Sequence, residues 1–248
     1  MKNTYLEILE NQLAIDYDCT VEEVESVDNI YRAMKRNNGA RRMGSEESML
    51  KIAVYKEKLL VMADEKILNW CKQTFQNERG IWFSEPVNLY RINKKLEEYG
   101  QSLVDAHHHY IPAKDFAKTK ERFSVKWYSQ EEIIAFKGDG RFGEALLFDE
   151  ETPDMLAVCA VENNAILGMA SATRDSEKMW QIGVNVTEEG RGKGIGAYVT
   201  ALLKEKLLEM GILPFYATVE SHIKSQRVAI KSGFEPIFYE IFSEERQG

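Results

Sequence analysis

Cysteine is scarce in this sequence. Cys19, Cys71 and Cys159 are the only three in 248 residues. An odd number so widely spaced is neither a disulfide framework nor a thiolate zinc site, so reduced thiols are expected. Long apolar runs are missing too. No stretch approaches the roughly 18 consecutive apolar residues of a membrane-spanning helix. The opening Met1-Lys2-Asn3-Thr4-Tyr5-Leu6-Glu7 lacks the apolar core of a secretory signal. No membrane partner and a cytoplasmic location are the resulting expectations. Positive charge is in deficit: 32 Lys and Arg stand against 40 Asp and Glu, a net charge of −8. That excludes a general nucleic-acid binder, which needs surplus cations to release counterions, but leaves room for a local basic pocket. There is no internal repeat and no low-complexity segment. With 44% hydrophobic and 29% charged residues, the composition is that of an ordinary globular protein of one or two domains.

The run His107-His108-His109 is conspicuous. In a strand only His107 and His109 would share a face, and no acidic or thiol cluster accompanies them. A packed or solvent-facing run is expected, with no metal.

Residues 1–35 read as helical, with Leu6, Leu9, Leu13 and Ile15 at helix-like spacing and Thr20-Val21-Glu22-Glu23 as a capping box. The basic stretch Lys35–Arg42, with its Asn-Gly turn chemistry, reads as a solvated loop. Residues 50–112 predict a compact α/β module: a strand over 59–63, a helix over 65–75, and a second helix over 89–103 entered after Pro86. A strand is expected at 123–128, followed by a helix that Ser129 and Glu132 cap. Strands 155–161 and 165–172 flank Glu162-Asn163-Asn164, where Asn tolerates a tight antiparallel turn. Trp180–Val186 is the next strand. A helix follows over 197–210, stopped by Gly211 and Pro214. Then come a strand over 215–219, a helix over 223–231 and a strand over 236–242.

The chemistry concentrates in Arg191-Gly192-Lys193-Gly194-Ile195-Gly196, between a strand and a helix. Glycines let the backbone approach a ligand closely. Amides at a helix N-terminus favour negative charge. Arg191 and Lys193 add cations. Such a turn binds phosphate or diphosphate; the plain alternative is a glycine-rich turn with two exposed basic residues. A dinucleotide fingerprint fits poorly, because Thr187–Arg191 separate the first glycine from its strand. A Walker A loop fails because no Gly-Lys precedes Ser or Thr.

The stretch Val184–Gly196, with Arg191, Gly194 and Gly196 at the key spacing, resembles the central motif of the Gcn5-related N-acetyltransferase (GNAT) superfamily. His222–Phe234, ending in Gly233-Phe234, resembles that family's second segment. The resemblance covers about residues 123–243. It implies an α/β (α+β) fold with a mixed, mostly antiparallel twisted sheet flanked by helices over 121–248. A smaller accessory α/β domain over 1–120 would then form a wall of the substrate site or a dimerisation surface, allowing a homodimer.

By the same resemblance the ligand is acetyl-CoA and the reaction is acetyl transfer to a primary amine, a small molecule being favoured. The diphosphate would rest on Arg191, Gly192, Lys193, Gly194, Ile195 and Gly196. The pantetheine arm would pair with the backbone near Val184 and Val186, between two splayed strands, with His222 and Ser225 also toward the cofactor. His222 stands where the family often has Asn. The family's usual tyrosine acid is replaced by Ala229. Tyr216, Tyr239 and Tyr198 are the possible substitutes, and Glu220, Glu177 and His222 are the candidate bases. A non-catalytic acyl-CoA sensor and a protein N-acetyltransferase remain as alternatives.

Overall fold

A computed structural model describes residues 4–42 and 47–246. The chain divides into two compact units. Of the described residues, the first comprises 6–109, Val219–Ser221 and 237–246; the second comprises 4–5, Tyr110–Thr218 and His222–Pro236. Among the described residues no helix is long and apolar enough to cross a membrane.

Helix α1 (Thr4–Asp16) buries Leu9 and Leu13 completely. Ile15, expected on the same stripe, is 38% exposed, because six residues from Leu9 carry it well round the helix. Helix α2 (Val21–Glu25) starts at the expected capping box: the Glu23 N–H donates to Thr20 Oγ1 at 3.2 Å, and the Thr20 N–H to Glu23 Oε2 at 3.0 Å. The helical reading of 1–35 fails beyond this point. Residues 30–33 form strand β1 (Ile30–Ala33), followed by β2 (Leu50–Tyr55) and β3 (Lys58–Ala63). β1 pairs in parallel with β3, Ile30 opposite Leu60, so tertiary pairing overrides a weak local preference.

Helix α3 (Glu65–Phe75) buries Ile67, Cys71 and Phe75, and Asp64 caps it through the Lys66 N–H at 2.9 Å. Helix α4 (Pro86–Glu97) is shorter than the expected 89–103. Gly100, at φ +72°, turns the chain into strand β4 (Gln101–Pro112), which contains Leu103. The Leu103 N–H donates to Asn93 Oδ1 at 2.8 Å. His107, His108 and His109 all lie on β4, and the rings of His107 and His109 are 6.4 Å apart.

The second unit opens with β5 (Ser124–Ser129) and α5 (Gln130–Ile133), joined by the Ser129–Glu132 capping box. Strands β6 (Asp154–Glu162) and β7 (Ala165–Arg174) form the expected hairpin. Asn163 and Asn164, at φ 50° and 63°, supply its two-residue turn. Then follow β8 (Met179–Val186), α6 (Ile195–Glu209), β9 (Leu213–Val219), α7 (Ile223–Lys231) and β10 (Phe234–Glu245). β5 through β8 pair antiparallel in sequence order, and β9 adds to β8 in parallel. α6 presses Ile195, Val199, Leu203 and Leu207 into one core cluster with Ala170, Ala172 and Ile182 of the sheet. On the other side Phe142, Ala145 and Leu146 cover Ala157, Cys159 and Met169.

The later part of β10 belongs to the first unit and pairs antiparallel with β2, from Phe238 opposite Tyr55 to Phe242 opposite Lys51. It brings Glu240 into a buried cluster of charges. Arg41, expected in a solvated loop, is 4% exposed. Its Nε donates to Asp16 Oδ2 at 2.6 Å and its Nη2 to Glu240 Oε1 at 3.0 Å. Two carboxylates taken out of water need a cation beside them, and Arg41 supplies one to both. The Tyr17 hydroxyl also donates to Glu240, at 2.8 Å. His109 stacks on Phe238 at 4.3 Å, with its Nε2 3.2 Å from Glu240 Oε2. Burial, then the Arg41 charge, holds the His109 pKa well below the usual imidazole range.

Candidate functional site

The glycine-rich turn lies between β8 and α6, inside the second unit. Gly192 and Gly194 sit at φ +76° and +79°, a left-handed conformation that costs other L-residues roughly 1–2 kcal/mol. Gly194 is the N-cap of α6 and offers no side chain to cap it. Among the described residues no carbonyl accepts from the N–H groups of Gly192, Gly194, Ile195, Gly196 or Ala197. Five donors are therefore collected at the positive end of a four-turn helix. Gly196 is tight against its surroundings, since a Cβ there would stand 3.2 Å from Val186 and 3.4 Å from Val228. Arg191 is largely exposed, 3.7 Å from Glu188, and Lys193 pairs with Glu162 at 2.9 Å.

The strands leading to this turn form a fork. β8 and β9 pair only at Met179–Leu213, Trp180–Pro214 and Gln181–Phe215. Beyond Gln181 and Phe215 no pairing between them continues, although β8 runs on to Val186 and β9 to Val219. β8 keeps its other neighbour, β7, along this stretch. One backbone edge of Ile182–Val186 is thus left without a strand, and Val184 and Val186 lie half-buried along it. A backbone edge of this kind can pair with an extended amide chain, as a further strand would.

The expected catalytic residues are scattered. Tyr216 is one residue past the last paired position of β9 and is buried. Its hydroxyl is hydrogen-bonded to Ser225 Oγ of α7 at 2.8 Å, which joins two residues expected at the site. Burial raises the Tyr216 pKa above the ordinary tyrosine value, so the hydroxyl keeps its proton. Ala229 stands one turn beyond Ser225, fully buried in the same cluster as Tyr216. His222 is the exposed N-cap residue of α7. Glu177 is exposed in the turn before Met179, at the paired end of the fork and away from its open edge. Glu220 is exposed in the 219–221 turn of the first unit. Tyr239 is buried in the first unit's core, where burial and Glu220 push its hydroxyl up to about 12. Tyr198 is committed elsewhere: its hydroxyl donates to the Phe123 carbonyl at 3.2 Å.

Two residues near the site carry no motif. Asn185 Oδ1 accepts from the N–H groups of both Glu144 and Ala145, at 2.8 and 2.7 Å. A Cβ on Gly183 would lie 2.1 Å from the Glu144 carbonyl oxygen, so only glycine lets that segment rest on β8. Glu144 is thereby held, exposed, beside the open part of the fork, and its charge contributes to the raised Tyr216 pKa. The other is Arg122, whose Nη2 donates to the Lys193 carbonyl at 3.3 Å. Spacing rules look for local patterns, and both residues arrive from distant segments.

The model of the acetyltransferase (GNAT) family matches residues 88–234, more than half of the chain. No curated protein matches the chain in sequence. A GCN5-related N-acetyltransferase-like protein from Streptococcus suis 89/1591 is 15% identical, with 98% of each chain covered and a TM-score of 0.50, a likeness of fold. A GCN5-related N-acetyltransferase from Kribbella flavida is 22% identical over 62% of this chain, with a TM-score of 0.45; the match spans 63% of that protein, less than two thirds of its length. A GNAT-family protein from Novosphingobium aromaticivorans DSM 12444 is 13% identical, covering 60% of this chain and 69% of that one, with a TM-score of 0.44. The forked strands, the glycine turn that follows them and the family match over the segment holding both lead to one conclusion: this chain belongs to the GNAT acetyltransferase family and is an acyltransferase.

Proposed function

We propose that the protein transfers an acetyl group from acetyl-CoA to a primary amine carried by a small cationic molecule. The observation that carries this reading is the pairing of two unsatisfied backbone surfaces: the five amide donors at the start of α6 and the open edge of β8. They suit a ligand with a diphosphate at one end and an amide-containing arm at the other. Gly192 and Gly194–Ala197 would hold the diphosphate, with Arg191 and Lys193 adding charge. Val184 and Val186 would hold the arm. Bound there, acetyl-CoA supplies an activated thioester.

The chain's own residues then have three tasks. Backbone N–H groups of the β8 edge polarise the reacting carbonyl, a role that fixed donors perform without reorganisation. Glu144, pinned over β8 by Asn185, binds the ammonium and accepts its proton. Tyr216, protonated and hydrogen-bonded to Ser225, gives a proton to the departing sulfur. This makes Tyr216 the substitute for the tyrosine that Ala229 lacks. Its ring belongs to the same cluster as that small, buried residue.

The test is release of free thiol from acetyl-CoA with a panel of small amines, alongside calorimetric titration with CoA. Turnover with polyamines or amino sugars and CoA binding in the micromolar range are expected. CoA binding with no turnover on any amine would make the protein a sensor. Turnover only with a folded protein acceptor would overturn the small-molecule assignment.

A further inference from the structure

We infer that Arg122 is a diphosphate-binding residue, delivered to the α6 N-terminus by the irregular segment 113–122. The inference rests on the acyl-CoA reading above and adds a residue that lies outside every motif in the sequence.

The segment is laced down along α6 from its C-terminal half toward its start. The Ala113 N–H donates to the Gly233 carbonyl at 3.0 Å. The Phe116 ring lies 3.4 Å from Lys204 Nζ. Both the N–H and the hydroxyl of Thr119 donate to Glu205 Oε1, each at 2.7 Å. The Arg122 N–H donates to the Tyr198 hydroxyl at 3.4 Å. Helix positions 204 and 205 are thus met first and 198 last, so the segment ends near the start of α6, and the next stop is the turn itself. There the guanidinium lies over the Phe123 ring at 5.3 Å and donates to the Lys193 carbonyl. Its Nη1 is 3.6 Å from where a Cβ on Gly194 would stand.

The aromatic platform and the carbonyl hold the arginine before any ligand arrives, so little side-chain freedom is left to lose on binding. Arg191 and Lys193 each stand beside a carboxylate, Glu188 and Glu162, which offsets part of the charge they bring to the turn. The guanidinium uses one of its five N–H groups on Lys193, and its planar fork matches two phosphate oxygens. In a chain of net charge −8, a dianion needs such a local cation. The donors of Arg122 converge on the same turn as the five amides, which points to the diphosphate and away from the 3′-phosphate of CoA.

Calorimetric titration of the full chain with CoA and with dephospho-CoA, which keeps the diphosphate but lacks the 3′-phosphate, tests this. For Arg122→Gln, affinity for both should fall about 10- to 100-fold. Thr119→Val, which loosens the segment without touching the ligand, should weaken both in the same direction and add nothing in the Arg122→Gln background. Unchanged affinity in Arg122→Gln overturns the inference. A loss confined to CoA overturns the diphosphate assignment. Failure of the wild-type chain to bind either ligand would sink the acyl-CoA reading itself, an outcome visible before any variant is made.

Discussion

Replacing Gly194 with glutamate separates ligand binding from folding. The residue has a left-handed φ of +79°, so a side chain costs roughly 1–2 kcal/mol of stability. A Cβ there would meet no backbone, only the Arg122 guanidinium at 3.6 and 4.0 Å. The fold should therefore survive. The added carboxylate would reach Arg122 and pair with it, removing one charge-assisted bond of about 1.5–3 kcal/mol from any bound phosphate. It would also place a negative charge a few ångströms from the diphosphate, worth roughly another 1–3 kcal/mol at an exposed site. Together these amount to about 2.5–6 kcal/mol, or roughly a hundredfold or greater loss of CoA affinity. Gly194→Asn is the control, because asparagine tolerates the left-handed backbone and adds no charge. It should cost less stability than glutamate does and no more than about tenfold in affinity. Calorimetry with CoA and thermal unfolding measure both quantities. A folded Gly194→Glu protein that binds CoA as the wild type does would refute the placement of the phosphate seat.

Tyr216→Phe should lower kcat about 100-fold while changing CoA affinity little, since the hydroxyl is asked only for a proton; an unchanged kcat removes it from the mechanism. Glu144→Gln should lower kcat and raise KM for the amine with CoA affinity intact; unaltered amine kinetics would leave the base unassigned. Burial lowers the Lys204 pKa to about 8, so the folded state binds fewer protons than the unfolded one between about pH 8 and the ordinary lysine range, and stability rises with pH there. Lys204→Met should be more stable than wild type at pH 7, by about 1–3 kcal/mol after allowing for the lost contact with Phe116. Thermal unfolding against pH should show that gap closing above about pH 10, and a gap that does not depend on pH would contradict this account. His109 is neutral when folded, so the unfolded chain takes up the extra proton as pH drops through the ordinary imidazole range, and stability falls. His109→Gln should flatten the unfolding curve below about pH 6.5; equal acid sensitivity in the variant would argue against it.

What could be read from the residues follows the range of the forces involved. The Asn163-Asn164 hairpin, the Ser129 capping box and the helix over 223–231 are set within a few residues, and they stand as expected. The glycine turn was legible because it needs its own φ angles and a helix immediately after. The second helix of the first unit was overextended because Leu103 continues the helical spacing even though Gly100 has already turned the chain. β1 is four residues long and exists through its pairing with β3. Arg41 looked solvated because its partners are 25 and 199 residues away. Glu144 and Arg122 escaped notice for the same reason, since Asn185 and Lys193 lie 41 and 71 residues further on.

The buried charges of the first unit bear on how the chain is made. Tyr17 and Glu240 are 223 residues apart, and the strand that carries Glu240 also supplies Tyr239 and Ile241 to that unit's interior. A nascent chain emerging from the ribosome would expose α1, β2 and β3 long before their last strand exists. Until it arrives, one margin of β2 is unpaired and Asp16 and Arg41 lack their third member. The first unit is thus closed only by a strand far along the chain from its other elements, and truncation within residues 237–245 should unfold residues 6–109.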